Sequence, residues 1–126
     1  MILRVDPSQA LPVYEQIRQQ VTRMAVTGTL APGTRLPTIR QLAADLGLAK
    51  GTVAKAYELL ELSAVVESKG HKGTFVRDLG PAPGASAGEV ADGLREAAEA
   101  FVVAARQLGA DLDQTHAALD DAWRLL

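Results

Sequence analysis

Cysteine is absent from the 126-residue sequence, which excludes a disulfide framework and any thiolate metal site. Histidine is scarce: His71 and His116 lie in different parts of the chain, at a spacing unsuited to zinc. Long apolar runs are missing too. None approaches the roughly 20 residues needed to cross a bilayer. The opening MILRVDPSQALP has too short an apolar run and no basic segment for a secretory signal. A cytoplasmic chain without a membrane partner is expected. Nor does a catalytic set present itself. GTLAPGTRLP contains glycines but lacks the Lys-Ser/Thr ending of a phosphate loop. Asp111, Asp113, Asp120 and Asp121 lack the alternating ligands and turn glycine of a calcium loop. The reading is of a protein that is no enzyme and holds neither metal nor cofactor.

A strong charge of one sign is also lacking, since the formal net charge is −2. Its placement is uneven, however. Residues 1–79 carry ten Lys/Arg against seven Asp/Glu, a local +3, while residues 80–126 carry three against eight, a local −5. Such asymmetry points to two parts with different partners. The hydrophobic fraction of 48% is enough for a core, and the length suits one small domain with an appendage.

The pattern of breakers and apolar residues organises the chain. Residues 2–5, ILRV, read as a short strand, and DPSQALP as a loop with Pro7 and Pro12 as breakers. Val13, Tyr14, Ile17, Val21, Met24 and Ala25 then trace a helical stripe that ends near Gly28. Thr38 and Gln41 form a capping box for a second helix, which Gly47 stops. GLAK turns into a third helix over roughly residues 50–63, so the pair matches a helix-turn-helix. AVVESKGHKGTFVR reads as a β-hairpin, with Val65, Val66, Phe75 and Val76 in its strands and a polar tip over 69–73. Helix, helix-turn-helix and hairpin follow one another as in a winged helix.

LGPAPGASAG, residues 79–88, has the composition of a linker. Beyond it, Val90, Leu94, Ala97, Ala98, Phe101, Val102, Ala105 and Leu108 share one helix face, and GAD breaks the pattern. Asp111 is placed to cap a last helix, with Leu112, Leu119, Ala122, Trp123 and Leu126 on one side. Two such amphipathic helices do not hide their apolar faces alone. They need the first domain or another chain.

With Val53 facing the core, about 100° per residue puts Ala56, Tyr57 and Leu60 on the same side of the third helix and Gly51, Lys55 and Glu58 on the other. In a helix-turn-helix that outward N-terminal face enters the major groove. Lys50, Gly51, Thr52, Ala54 and Lys55 are its candidate contacts. Lysine donates to guanine or phosphate, and threonine donates to phosphate or meets a thymine methyl. Arg35 and Arg40 flank the second helix start, and Lys69, His71 and Lys72 crowd the hairpin tip. Three segments thus offer cations where a winged helix meets a duplex, the spread that neutralising several phosphates requires.

LPVYEQIRQQV, GTLAPGTRLPTIRQLAADLGLAKGTVAKAYELLE and KGHKGTFV occur in order and resemble the DNA-binding domain of the GntR family of bacterial transcription regulators, over roughly residues 9–77. The short two-helix tail and the opening RVDPSQALPVYEQI resemble the YtrA-like subfamily. The resemblance implies a dimer on a roughly palindromic operator, with the tail helices serving dimerisation. It places DNA contacts on Arg35, Arg40, Lys50, Gly51, Thr52, Gly70, His71 and Lys72. Family members usually carry Ser, Thr or Asn at the position of Ala49, Asn, Arg or Thr at that of Gly51, and glycine near Ser63-Ala64.

The expected architecture is therefore α+β: a winged helix-turn-helix DNA-binding domain over residues 1–78, a linker over 79–88 and a two-helix dimerisation tail over 89–126. Its candidate DNA-binding residues are Arg35, Thr38, Arg40, Lys50, Gly51, Thr52, Lys55, Lys69, Gly70, His71 and Lys72. Its candidate dimerisation residues are Leu94, Phe101, Val102, Leu108, Leu112, Leu119, Trp123 and Leu126. The leading expectation is a homodimeric repressor of transcription bound to a double-stranded DNA operator, with room for a small-molecule effector that the sequence does not name. The competing reading is a winged-helix protein-interaction module without specific DNA binding.

Overall fold

Apolar residues recurring at helical spacing build α1, Val13–Thr27, in the computed structural model, which describes residues 1–80 and 84–125. Ile17 and Val21 are wholly buried on its inner face, and Gly28 ends it. Helix α2, Ile39–Leu46, starts at the expected capping box: the Thr38 hydroxyl accepts from the Gln41 N–H, and the Gln41 side chain accepts from the Thr38 N–H. At its other end Gly47 takes φ 65°, a left-handed conformation that suits glycine, and its N–H turns back to the Ala43 and Ala44 carbonyls. Only Leu48 and Ala49 then separate that glycine from α3, Lys50–Leu62, whose inner face buries Val53, Ala56, Tyr57 and Leu60. Helix α3 packs on both α1 and α2, so the core residues of three helices converge on one point.

Strands β1, Val66–Ser68, and β2, Thr74–Val76, pair antiparallel with Val66 opposite Val76, and a single 3-10 turn, Gly70–Lys72, closes the hairpin. A third stretch, invisible in the sequence pattern, completes the small sheet. Arg35 bridges to Phe75, the Leu36 N–H donates to the Thr74 carbonyl at 2.8 Å, and the Val76 N–H donates to the Thr34 carbonyl at 2.9 Å. The α1–α2 connection is thereby fastened to the far edge of the hairpin, and Leu36, Val65, Val66 and Val76 close the core beneath it.

Residues 2–5 do not form the expected strand. Their backbone groups bond to glutamine side chains instead of a neighbouring strand. The Gln20 amide donates to the Arg4 carbonyl at 2.7 Å and accepts from the Arg4 N–H at 3.0 Å. Gln16, itself buried, accepts from the Asp6 N–H and donates to the Asp6 and Leu11 carbonyls. A primary amide offers a donor and an acceptor side by side, as a peptide group does. The arm is thus held on α1 with Leu3 in the core and no ladder.

Ala64 adopts φ 60°, the only non-glycine residue with positive φ among the described residues. It turns the chain from α3 into β1, its N–H bonding to the Glu61 carbonyl at 3.0 Å. A side chain in that conformation carries a penalty of about 1–2 kcal/mol, which glycine avoids. Ala64→Gly is expected to raise unfolding free energy by about 1 kcal/mol in urea titrations, after allowance for the freer unfolded chain. An unchanged or lower midpoint would show the turn to be unstrained.

Contacts divide the chain into two units, Met1–Gly80 and Pro81–Leu126. In the second, α4, Ala87–Gln107, opens on a capping box between Ser86 and Glu89, so Ala87 and Gly88, read as linker, form its first turn. Helix α5, Leu112–Leu125, opens on Asp111, whose carboxylate accepts from the Gln114 N–H at 2.8 Å while the Gln114 side chain accepts from the Asp111 N–H. Among the described residues no helix is long and apolar enough to cross a membrane. The fold is α+β, a winged helix-turn-helix followed by a helical tail.

Candidate nucleic-acid interface

The first turns of α3 carry five of the candidate contacts. Lys50, Gly51 and Lys55 are exposed, Thr52 and Ala54 are half-buried, and the opposite side of the helix is sealed into the core. Ala49 precedes them in an extended conformation and contributes no side-chain cap. At Gly51 a Cβ would meet nothing within 4 Å, and the residue lies within the helix without positive φ. Folding therefore does not require glycine here. Gly51→Ala is expected to raise stability by about 0.5–1 kcal/mol in urea titrations, because alanine is the better helix former. A loss of stability would reveal a steric role within the chain.

Arg35 and Thr38 lie exposed on the stretch leading into α2, and Arg40 is exposed in its first turn. The Thr38 oxygen is engaged in its cap, which leaves its hydroxyl hydrogen free to donate outward. Tyr57 ties this stretch to α3: its hydroxyl donates to the Pro37 carbonyl at 2.6 Å, and burial pushes the phenol pKa up to about 12. The donor thus stays protonated at any ordinary pH. One side chain of α3 thus fixes the entry to the helix before it.

Lys69, Gly70, His71 and Lys72 form the exposed tip of the hairpin. Behind it Gly73 takes φ 113°, and a Cβ there would lie 2.7 Å from Arg35 Nε. The Arg35 side chain lies over Gly73, where a Cβ would push it aside, and the positive φ itself favours glycine. Two of the basic side chains rest on aromatic rings. Lys55 Nζ lies 4.1 Å from the centre of the Tyr14 ring, and Lys69 Nζ lies 5.0 Å from that of Phe75. Sequence reasoning missed the two ring contacts, the Tyr57 anchor and the Gly73–Arg35 packing. Only Tyr57 offered a signal, as a phenol on a core-facing helix position that needs a partner when buried. Among the described residues no cluster of acidic residues and histidines could hold a metal ion.

The tail presents a different surface. Leu94, Leu108, Leu112 and Trp123 are largely exposed, Phe101, Val102 and Leu119 about half so, and Ala105 is the buried residue of α4. Leu126 lies outside the described residues.

A helix-turn-helix with a basic outward face, beside a basic hairpin, defines a winged helix-turn-helix of the transcription-regulator class. The protein-family model described as "Bacterial regulatory proteins, gntR family" matches residues 13–76, and the chain belongs to this family. It is 45% identical over 107 residues to the HTH-type transcriptional regulator Rv1152 of Mycobacterium tuberculosis, covering 85% of this chain and 82% of that protein. Some curated relatives are much longer: the chain spans 14% of the HTH-type transcriptional regulator TauR of Rhodobacter capsulatus. Among solved structures, YtrA from Sulfolobus acidocaldarius, a GntR-family transcription factor, superposes with a TM-score of 0.58 at 28% identity, over 87% of this chain and 100% of that one. The likeness makes this a YtrA-like member. AraR(DBD) in complex with operator ORX1 is similar with a TM-score of 0.53 at 27% identity, over 60% of this chain and 98% of that one.

Proposed function

We propose that this chain is a homodimeric, sequence-specific repressor of transcription that binds a roughly palindromic operator. The carrying observation is the start of α3, with Lys50, Gly51 and Lys55 exposed and Thr52 half-buried, together with exposed cations on two other segments of the same unit, Arg35 and Arg40 at the start of α2 and Lys69 and Lys72 at the hairpin tip. One α3 per subunit enters the major groove, with Lys50 and Thr52 reading base edges or phosphates. Arg35, Thr38 and Arg40 meet the backbone at the start of α2. The tip at Lys69–Lys72 reaches the adjacent minor groove or backbone.

The tail supplies the dimer. Apolar side chains as exposed as Leu94, at 68%, and Trp123, at 83%, call for a second surface, and a second copy offers the same face in return. The acidic balance of residues 80–126 keeps that part from competing for DNA. Bound across a promoter, such a dimer excludes other proteins from the same base pairs, which is the action of a repressor. The chain works in the cytoplasm, without catalysis.

Selection of bound duplexes from a random pool tests the reading. The expected outcome is enrichment of an inverted repeat whose half-sites lie about one helical turn apart. Affinity for the enriched duplex should fall steeply with salt, with a log–log slope of about −0.9 per phosphate contacted. A pool without enrichment, or affinity insensitive to salt, would overturn it.

A further inference from the structure

We infer that Tyr14 is a positioning residue for DNA binding: its ring on α1 holds the Lys55 ammonium of α3 in place for a phosphate oxygen. The inference rests on the reading of α3 as the DNA-contacting helix and assigns a role to a residue outside every basic segment.

Lys55 is on the outward face of α3, one turn beyond Gly51, on the side away from Val53, Ala56 and Leu60. A lysine there ordinarily samples many rotamers, and ordering it on binding weakens the complex. In this chain the ammonium is already seated, 4.1 Å from the centre of the Tyr14 ring. Tyr14 is half-buried at the start of α1 and packs against the core, so the ring is a fixed platform. No carboxylate lies within ion-pair distance of Lys55 among the described residues. The charge is therefore held without being neutralised. A ring face attracts one side of the ammonium and leaves its other donors directed to solvent, where a phosphate would bind. A carboxylate in place of the ring would hold the lysine equally well and cancel the charge DNA requires.

Lys69 over Phe75, at 5.0 Å, repeats the device in the hairpin. With Tyr57 anchoring Pro37, each of the three aromatic residues in the first unit supports the basic surface.

A double-mutant cycle on affinity for the most enriched duplex, measured by fluorescence anisotropy across a salt series, decides the matter. Lys55→Ala should weaken binding and make the salt slope shallower by about one phosphate's contribution. Tyr14→Leu should weaken binding two- to fivefold with the slope preserved, because the cation remains but is no longer placed. Tyr14→Phe should bind as the parent does. In the Lys55→Ala background, Tyr14→Leu should have no further effect. Thermal melting accompanies each variant, and Tyr14→Met, also without a ring, replaces the leucine variant if that one does not fold. Equal binding by parent and Tyr14→Leu, or an effect of Tyr14→Leu that persists without Lys55, overturns this inference while the parent still binds DNA. Failure of the parent to bind any duplex overturns the function proposed above as well.

Discussion

Replacing Arg40 and Lys50 together by alanine is expected to weaken binding to the enriched duplex by about 30-fold or more, while the melting temperature stays within about a degree of the parent. Each side chain is exposed, and among the described residues neither is engaged in an ion pair. Their removal therefore leaves no orphaned partner inside the protein, and surface changes of this kind usually alter stability by less than about 0.5 kcal/mol. A charge-assisted hydrogen bond to a phosphate or a base contributes at least about 1 kcal/mol, so two lost together give at least about 2 kcal/mol, which is the 30-fold figure. The residues sit on different helices, Arg40 in the first turn of α2 and Lys50 at the start of α3. A loss larger than either single change would show both helices on the duplex at once. The measurement is a gel-shift titration at fixed salt beside a thermal melt. Binding within a factor of three of the parent would remove α2 and α3 from the interface.

The largest effect on stability is expected from Leu60→Ala, about 3 kcal/mol, read from the shift of a urea denaturation curve. Leu60 is fully buried, on the side of α3 that packs against α1 and the start of the hairpin. Truncating a buried leucine loses the transfer free energy of its methyl groups and leaves a cavity, together about 2–5 kcal/mol. Ile17, Val21, Val53 and Val66, which belong to the same core cluster, are themselves wholly buried and come from α1, α3 and β1. Relaxation is therefore poor. A small domain has only about 5–15 kcal/mol in total, so the variant should unfold at markedly lower urea. Where the variant remains folded, its DNA affinity should approach the parent's, because Leu60 is buried on the side of α3 opposite the exposed Gly51 and Lys55. A shift below about 1 kcal/mol would mean that the core is looser than its burial implies.

Most of the first unit was legible in the sequence because its signals are local. The capping box at Thr38–Gln41, the stop at Gly47 and the helical spacing of Val53, Ala56, Tyr57 and Leu60 each act within a few residues, and the structure contains all of them. The arm was misread for a physical reason. ILRV has strand-forming composition, but a strand needs a partner strand, and the partners here are the side-chain amides of Gln16 and Gln20. The third sheet stretch escaped because a bridge at Arg35 has no periodicity to detect. The seats of Lys55 and Lys69 escaped because each depends on a ring brought near only by folding. The strained Ala64 was foreshadowed by resemblance alone, as a place where relatives tend to have glycine. The candidate DNA contacts were named by residue type and position, while the arrangement that holds Arg35 beside Gly73 came only from the fold.

Among the described residues, the single ion pair is the one between Arg18 and Glu15, neighbours on α1. The arm is held by neutral amides, the helices by caps and apolar packing, and the sheet by peptide groups. If the function proposed above holds, ionic strength acts on the grip on DNA and scarcely on what keeps the protein folded. A rise in salt should release a bound duplex from an intact protein, so that release and refolding are separate events, and the same copy is ready to bind again as soon as the salt falls.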